Sequence, residues 1–271
     1  MGKKKSKKPS RGGRWSTSPQ QVGMWLATVE QRLKEEKYKG AAQTARGVMR
    51  HVPKGSKPYG EAQYYLGAAL LMSQEYQDAY QVLSDTLETS PDDATAWYNR
   101  GLVCRFVGRI GQSVRDLEQA LELETTPNLQ NGYKDALAFS HKLCREELAI
   151  RGPDFTLEQL IEQQEMYQNA VQLMTSGKWP EAEAIYRQVI EMGDGLSQPW
   201  GNLGICLIMQ ERYDEAESAL CRALEIDPDY EIARQNLVKL PFTRQSGSVG
   251  FEINKPFEGE KINQSLIIIE E

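Results

Sequence analysis

The sequence has 271 residues and is 40% hydrophobic, enough for one or two domains with a core, and its net charge of −6 is uneven, with seven Lys or Arg and no acid in residues 1–14, a cationic tail on an anionic body. No run of about 18 apolar residues occurs, and no apolar stretch follows the basic start, which argues against a membrane-spanning helix and a secretory leader. Four scattered cysteines, Cys104, Cys144, Cys206 and Cys221, form no C-x-x-C pair and fit buried thiols in a reducing, cytoplasmic compartment better than a disulfide frame.

Residues 1–20 are rich in Lys, Arg, Ser, Pro and Gly, with Trp15 the one large apolar residue, and read as a disordered tail. From residue 22 the apolar positions take helical spacing. Residues 22–55 place Trp25, Ala41, Ala45 and Val48 on helix faces before Pro53, and Gly55-Ser56-Lys57-Pro58 is a turn signal. Residues 60–93 repeat the pattern through Leu66, Gly67, Leu70, Ala79 and Leu83. Residues 94–127 repeat it through Trp97, Gly101, Gly108, Leu117 and Ala120, with Pro127 the expected stop.

Residues 128–162 break the pattern. Tyr133 to Ile150 sets Ala136, Leu137, Leu143, Cys144 and Leu148 at helical spacing and predicts one amphipathic spacer helix, ended by Arg151-Gly152-Pro153. Thr156-Leu157-Glu158-Gln159 is a capping-box sequence with Phe155 and Leu160 placed as a hydrophobic staple, so the next helix is predicted to start near Leu157. The pattern returns over 163–196, through Ala170, Gly177, Ala182, Tyr186 and Val189, and over 197–230, through Trp200, Leu203, Gly204, Leu207, Ala216, Leu220 and Ala223. Gly204 and Ala216 are small where two helices should cross closely. Tyr230 to Leu240 predicts a closing helix stopped by Pro241. Residues 241–271 read as an extended or disordered tail, in which Val249, Phe251 and Ile253 alternate and Leu266 to Ile269 form a short aliphatic run.

The period of these units and the residues at their fixed offsets resemble the tetratricopeptide repeat, a helix–turn–helix unit of about 34 residues. Trp200, Gly204, Ala216 and Ala223 fall at the family's signature positions, and so do Gly67 and Ala79, Trp97, Gly101 and Ala120, and Ala182 in the other units. Thr28 and Val29 depart from the pattern in the first unit. Arg100, Ser113 and Thr125 stand where the family has Leu, Ala and Pro. The resemblance implies an all-α fold of tetratricopeptide-like repeats stacked into a right-handed superhelix, since one unit cannot bury its apolar face alone. It implies three units over 22–127, a spacer helix and loop over 128–162, two units plus a capping helix over 163–240, and a non-helical tail.

In such a superhelix the first helices line a concave groove. The corresponding positions here are Tyr64, Tyr65, Tyr98, Asn99, Leu102, Phe106, Tyr167, Asn202 and Ile205, an apolar and aromatic set. Rotation of the superhelix boundary would put several of them in the core instead. Some family members hold chaperone C-terminal carboxylates in a clamp of two lysines, two asparagines and an arginine. Asn99 and Asn202 match its central asparagine, but Tyr64 and Ala68, or Tyr167 and Val171, stand where the clamp needs Lys and Asn, which disfavours that ligand.

His141 and Cys144 share one helix face without further ligands nearby, and no phosphate loop, dinucleotide fingerprint or nucleophile elbow occurs. No catalytic residue, metal, cofactor or small-molecule substrate is therefore expected. The expected function is a non-catalytic protein–protein interaction scaffold or adaptor that binds a peptide segment of a partner in a concave apolar groove. Two other readings rest on the tail. One is an RNA- or ribosome-associated factor that uses the basic residues 1–14 as its nucleic-acid contact. The other is a membrane-tethered adaptor, because Met1-Gly2 followed by Ser6 and neighbouring lysines formally fits a myristoylation pattern, although Lys3 directly after the glycine weakens it.

Overall fold

The computed structural model describes residues 17–246, and every regular element in that span is an α-helix. The basic residues 1–14 and the stretch 247–271, with its alternating and aliphatic runs, lie outside the described residues. The described chain divides into two compact units, one up to Gln74 and one from Glu75 onward.

The first unit holds α1 (Pro19–Lys34), α2 (Tyr38–His51) and α3 (Lys57–Met72). Helix α1 begins inside the stretch read as tail because Ser18 caps it: the Gln21 N–H donates to Ser18 Oγ at 3.2 Å, and Pro19 fills the first turn, where no N–H is needed. Val22, Leu26, Val29 and Leu33 recur at helical intervals and are buried, as are Ala41, Ala42, Ala45 and Val48 of α2. The two helices pack on each other and on α3, where Ala62, Leu66, Gly67 and Leu70 are buried. Trp25 packs against the cluster of Val22, Leu26, Val48 and Ala62 and meets His51 edge-on at 5.3 Å.

The second unit runs through α4 (Tyr76–Thr89), α5 (Ala94–Phe106), α6 (Ile110–Leu123), α7 (Pro127–Arg151), α8 (Leu157–Thr175), α9 (Trp179–Met192), α10 (Ser197–Ile208), α11 (Tyr213–Ile226) and α12 (Glu231–Ser246). Helices α5 and α6, α8 and α9, and α10 and α11 are pairs joined by tight turns. Each turn passes through one left-handed residue: Gly108 at φ 71°, Gly177 at φ 72° and Glu211 at φ 61°. The next N–H then reaches back to a carbonyl inside the first helix, Arg109 to Cys104 at 2.8 Å, Lys178 to Leu173 at 2.9 Å and Arg212 to Leu207 at 2.9 Å. Those bonds satisfy carbonyls that the helix end would leave open.

Small residues set the crossings within each pair. A Cβ at Gly101 would come within 2.7 Å of Leu117 Cγ, and one at Gly204 within 2.8 Å of Leu220 Cγ. Ala79, Ala120, Ala182, Ala216 and Ala223 are fully buried, whereas Trp97 and Trp200 are only half-buried at the seams. The core around α10 gathers Leu203, Ile205, Leu207, Ile208, Leu220 and Tyr186, each large side chain stabilising by roughly 1.5–3 kcal/mol.

The departures at Arg100 and Ser113 each make a buried polar contact of their own. Asp116 of α6 is fully buried and accepts from Arg100 Nε and Nη2, both at 2.7 Å, from Gln112 Nε2 at 2.6 Å and from the Cys104 thiol at 3.7 Å. Burial, with Asp116 adjacent, pushes the Cys104 thiol well up, so it stays a donor. The Arg100 guanidinium also lies over the Trp97 ring at 4.7 Å. Ser113 Oγ donates to the Gly101 carbonyl at 2.7 Å and bonds Ser140 Oγ of α7 at 2.8 Å.

Helix α7 starts at Pro127, six residues before the predicted Tyr133. Pro127 does not stop α6, which already ends at Leu123; it occupies the first turn of α7. Glu124 organises the link, accepting from the Thr126 N–H at 2.7 Å while its carbonyl accepts from Gln130 Nε2 at 2.7 Å. Tyr133, Ala136, Ser140 and Cys144 form the buried face of α7, and Gly152 at φ 106° ends it. Helix α8 starts at Leu157 as predicted, with both halves of the capping box formed: the Gln159 N–H donates to Thr156 Oγ1 at 3.2 Å and the Thr156 N–H to Gln159 Oε1 at 2.9 Å.

The closing helix overturns an expectation, since α12 runs through Pro241 to Ser246. One bond within the helix and contacts to α11 hold the extra turn. Thr243 is buried and donates to the Lys239 carbonyl at 3.2 Å, while Arg244 pairs with Asp214 of α11 and lies over the Tyr213 ring. These contacts offset the hydrogen bond that proline removes.

Two stability measurements check this packing. Gly204→Leu should lower stability by roughly 1–3 kcal/mol through overpacking, whereas Gly47→Ala in α2, whose Cβ meets nothing within 4 Å, should raise it by about 0.5–1 kcal/mol. Thermal melts read by circular dichroism distinguish the signs. Asp116→Ala, which strands a buried guanidinium, should cost about 3–5 kcal/mol in a denaturant titration, and the double replacement Arg100→Met with Asp116→Leu should cost much less.

Candidate functional site

The nine groove positions separate by burial. Tyr98, Asn99, Leu102, Asn202 and Ile205 are at most 1% exposed and lie in the helical stack, out of reach of a ligand. Tyr64, Tyr65, Phe106 and Tyr167 are half-buried. The reason is local in each case. Tyr98 of α5 stacks on Tyr133 of α7 with ring centroids 4.2 Å apart, so the spacer helix covers that face. Burial pushes the Tyr98 phenol up to about 12. Asn202 Nδ2 donates to the hydroxyls of Tyr167 at 3.1 Å and Tyr186 at 3.0 Å, the satisfaction that a buried amide requires. Asn99 buries both amide heteroatoms without a hydrogen-bond partner among the described residues. Phe106 stacks on Tyr76 at 4.5 Å, and in the first unit Tyr64 meets Tyr65 edge-on at 5.4 Å.

What the second unit offers instead is a cleft of about 460 Å³. Its walls come from the turn between α5 and α6 (Arg105, Val107, Gly108, Ile110), the C-terminal half of α7 (Leu143, Glu146, Glu147, Arg151), α8 (Gln163, Gln164, Tyr167, Gln168, Val171) and the residues before and at the start of α10 (Leu196, Gln198, Pro199), with Val189 from α9. Tyr167 is a first-helix position that the sequence pattern assigned to a groove, and Val171 lies one turn further along the same helix. The cleft exists because α7 follows α6 while α8 packs against the start of α6, leaving α7 and α8 in slight contact. Gly111 is the pivot: its Cβ would meet Ile161 at 2.7 Å, and its N–H donates to Gln164 Oε1 at 3.0 Å.

Polar groups in the walls are mostly engaged. Gln163 is buried; its Nε2 donates to the Val189 carbonyl at 3.0 Å and its Oε1 accepts from Arg151 Nε at 2.5 Å. Arg151 also pairs with Glu147 at 2.7 Å. Gln168 Nε2 donates to the Val107 carbonyl at 2.7 Å. Arg105 differs. Its guanidinium lies 5.2 Å from the Phe139 ring, its buried Nε has no acceptor, and no carboxylate pairs with it among the described residues. Burial lowers its pKa, with no opposing carboxylate to restore it. Nothing in the sequence pattern singled out Arg105 or the glutamines of α8, because each is an ordinary polar residue until α7 is in place.

The remaining buried charge in this unit is a joint. Glu183 of α9 accepts from Arg187 Nε at 2.9 Å, Arg212 Nη1 at 2.7 Å and Gln210 Nε2 at 2.8 Å. Burial alone would raise its pKa, but the donors from Gln210, Arg187 and Arg212 more than offset this and hold it below the usual range. Among the described residues no group of three or more His, Cys, Asp or Glu is placed to hold a metal, and no helix is long and apolar enough to cross a membrane.

Tetratricopeptide-repeat models match residues 173–240 and 94–126. DnaJ homolog subfamily C member 7 of Homo sapiens is 19% identical over an alignment covering 69% of this chain and 47% of its own length, and the Mus musculus protein of the same name is 18% identical with the same coverage. The chain thus spans about half the length of the curated relatives it matches. Among solved structures, the TPR2AB-domain:pHSP90 complex of yeast Sti1 is similar at 16% identity and a TM-score of 0.40, covering 83% of this chain and 85% of that one. The P58(IPK) TPR domain is similar at 13% identity and a TM-score of 0.45, covering 83% and 65%.

The Glu183 joint predicts a pH dependence. A carboxyl whose folded pKa is depressed contributes stability above its unfolded pKa, about 4.3, and loses that contribution as pH falls through the folded value. The stability gap between the parent and Glu183→Gln should therefore be widest near neutrality and close progressively below about pH 4. Denaturant titrations at pH 7, 5, 4 and 3 measure it, and a gap independent of pH contradicts the assignment.

Proposed function

This chain is a tetratricopeptide-repeat protein, its matched repeats lying at 94–126 and 173–240, and on that premise we propose that it is a non-catalytic, cytoplasmic scaffold or adaptor that holds a peptide segment of a partner protein. The observation that carries the reading is the cleft between α7 and α8, where Tyr167 and Val171 stay half-buried beside Val107, Leu143 and Leu196. A volume of about 460 Å³ suits a few side chains of an extended segment. The first-helix residues available to a ligand are on this reading Phe106, Tyr167 and Val171 in the second unit and Tyr64 and Tyr65 in the first. Asn99 and Asn202 serve the stack. The basic residues 1–14, on which a nucleic-acid contact or a lipid tether would depend, lie outside the described residues.

Selection of peptides on the purified full chain, followed by titration of the selected sequences, tests the proposal. Val171→Asp places a charge on the apolar wall at a half-buried position. It should weaken the selected peptides by roughly tenfold or more while helicity is retained. Undiminished binding by the folded variant rejects this face as the docking surface.

A further inference from the structure

The charges that line the cleft are not all paired. Two arginines and two glutamates line it, and one of each, Arg151 and Glu147, neutralise one another at 2.7 Å. Glu146 is exposed at the rim and keeps its hydration. Arg105 is the group without compensation: a guanidinium with a buried, unbonded Nε, held against Phe139 and facing no carboxylate among the described residues. A half-buried cation of this kind loses part of its hydration, and an anionic partner would restore what it loses. The surroundings suit a main chain as well as a charge. Gln164 spends its Oε1 on the Gly111 N–H, and Gln168, one turn further along α8, spends its Nε2 on the Val107 carbonyl. The Nε2 of Gln164 and the Oε1 of Gln168 have no partner among the described residues, which leaves one donor and one acceptor of the kind an extended peptide needs.

We infer that the cleft between α7 and α8 is a subsite for an acidic peptide segment of a partner, in which a Glu or Asp carboxylate pairs with Arg105 and the preceding aliphatic side chains lie on Val107, Leu143 and Val171. This rests on the scaffold reading and narrows it, since it names the chemistry of the segment and the residue that reads it. Arginine is suited to the role because its planar fork engages both oxygens of a carboxylate. The glutamines of α8 fix the main chain, and the apolar walls exclude water from the ion pair, which strengthens it.

The experiment uses the full chain and two labelled synthetic peptides, each with three aliphatic residues followed by two acidic or two amide side chains: glutamates in one, glutamines in the other, both amidated at the end. The glutamate peptide should bind about tenfold more tightly than the glutamine peptide, a difference of ~1.4 kcal/mol, and Arg105→Gln should abolish that difference while leaving the glutamine peptide unaffected. Arg105→Lys should retain part of it. Glu146→Gln, which removes the unpaired rim carboxylate, should tighten the glutamate peptide and serves as a second variant if Arg105→Gln unfolds. Equal binding of the two peptides overturns the inference, and so does a charge preference that survives Arg105→Gln in a folded chain. If peptides chosen by selection bind and respond to Val171→Asp while Arg105→Gln changes nothing, the scaffold reading stands and the acidic subsite falls.

Discussion

Asp116 is a full negative charge with no solvent contact, and the second unit is arranged around satisfying it. An isolated carboxylate in that position would cost far more than any single helix contact returns. It is tolerated because α5 delivers a bidentate arginine and a thiol, and α6 itself delivers Gln112 one turn earlier. The donors fix α5 against α6 in one register. The close approach of Gly101 to Leu117 enforces the same register by steric means. Polar and apolar constraints therefore agree, and agreement across levels is what gives a sequence a single packing.

A second set of contacts on the same two helices decides what happens next along the chain. Ser113, a hydroxyl where the repeat has a methyl, bonds Ser140 of α7, and Tyr133 stacks on Tyr98. Helix α7 is thereby bound along α6 for much of its 25 residues. It occupies the side that another repeat would otherwise occupy. Helix α8 is left to pack at the start of α6 through Gly111, and the space between α7 and α8 becomes the cleft. The serine pair and the tyrosine stack thus bear on the cleft through the placement of α7.

Charge is handled differently on either side of this joint. Asp116 and Glu183 are each surrounded by donors, so their charges serve packing. Arg105 lies one residue beyond Cys104 on the same helix, yet it lies against Phe139 of α7 and pairs with no carboxylate among the described residues. Two arginines five residues apart on α5, Arg100 and Arg105, therefore meet opposite environments. Their sequence neighbours do not distinguish them; the helices packed against each do.

The sequence by itself determined the parts whose physics is local. The Thr156 to Gln159 box had to start a helix because its two bonds close within four residues. The helical period placed Gly204, Ala216, Leu203 and Leu220 on facing surfaces before any contact was known. Where two local signals competed, the tertiary structure chose. Pro127 starts a helix because α6 had already ended, and Pro241 lies within one because Thr243 and Arg244 find partners on other turns and on α11. The burial of Tyr98, Asn99 and Asn202, and the exposure left to Tyr167 and Val171, could not be read from their shared first-helix positions. Periodicity says which residues share a face of a helix, but only the neighbouring helices say whether that face is covered: α8 and α9 cover Asn202, and α7, which is tied to α6 by Ser113 and Ser140, 27 residues apart, covers Tyr98.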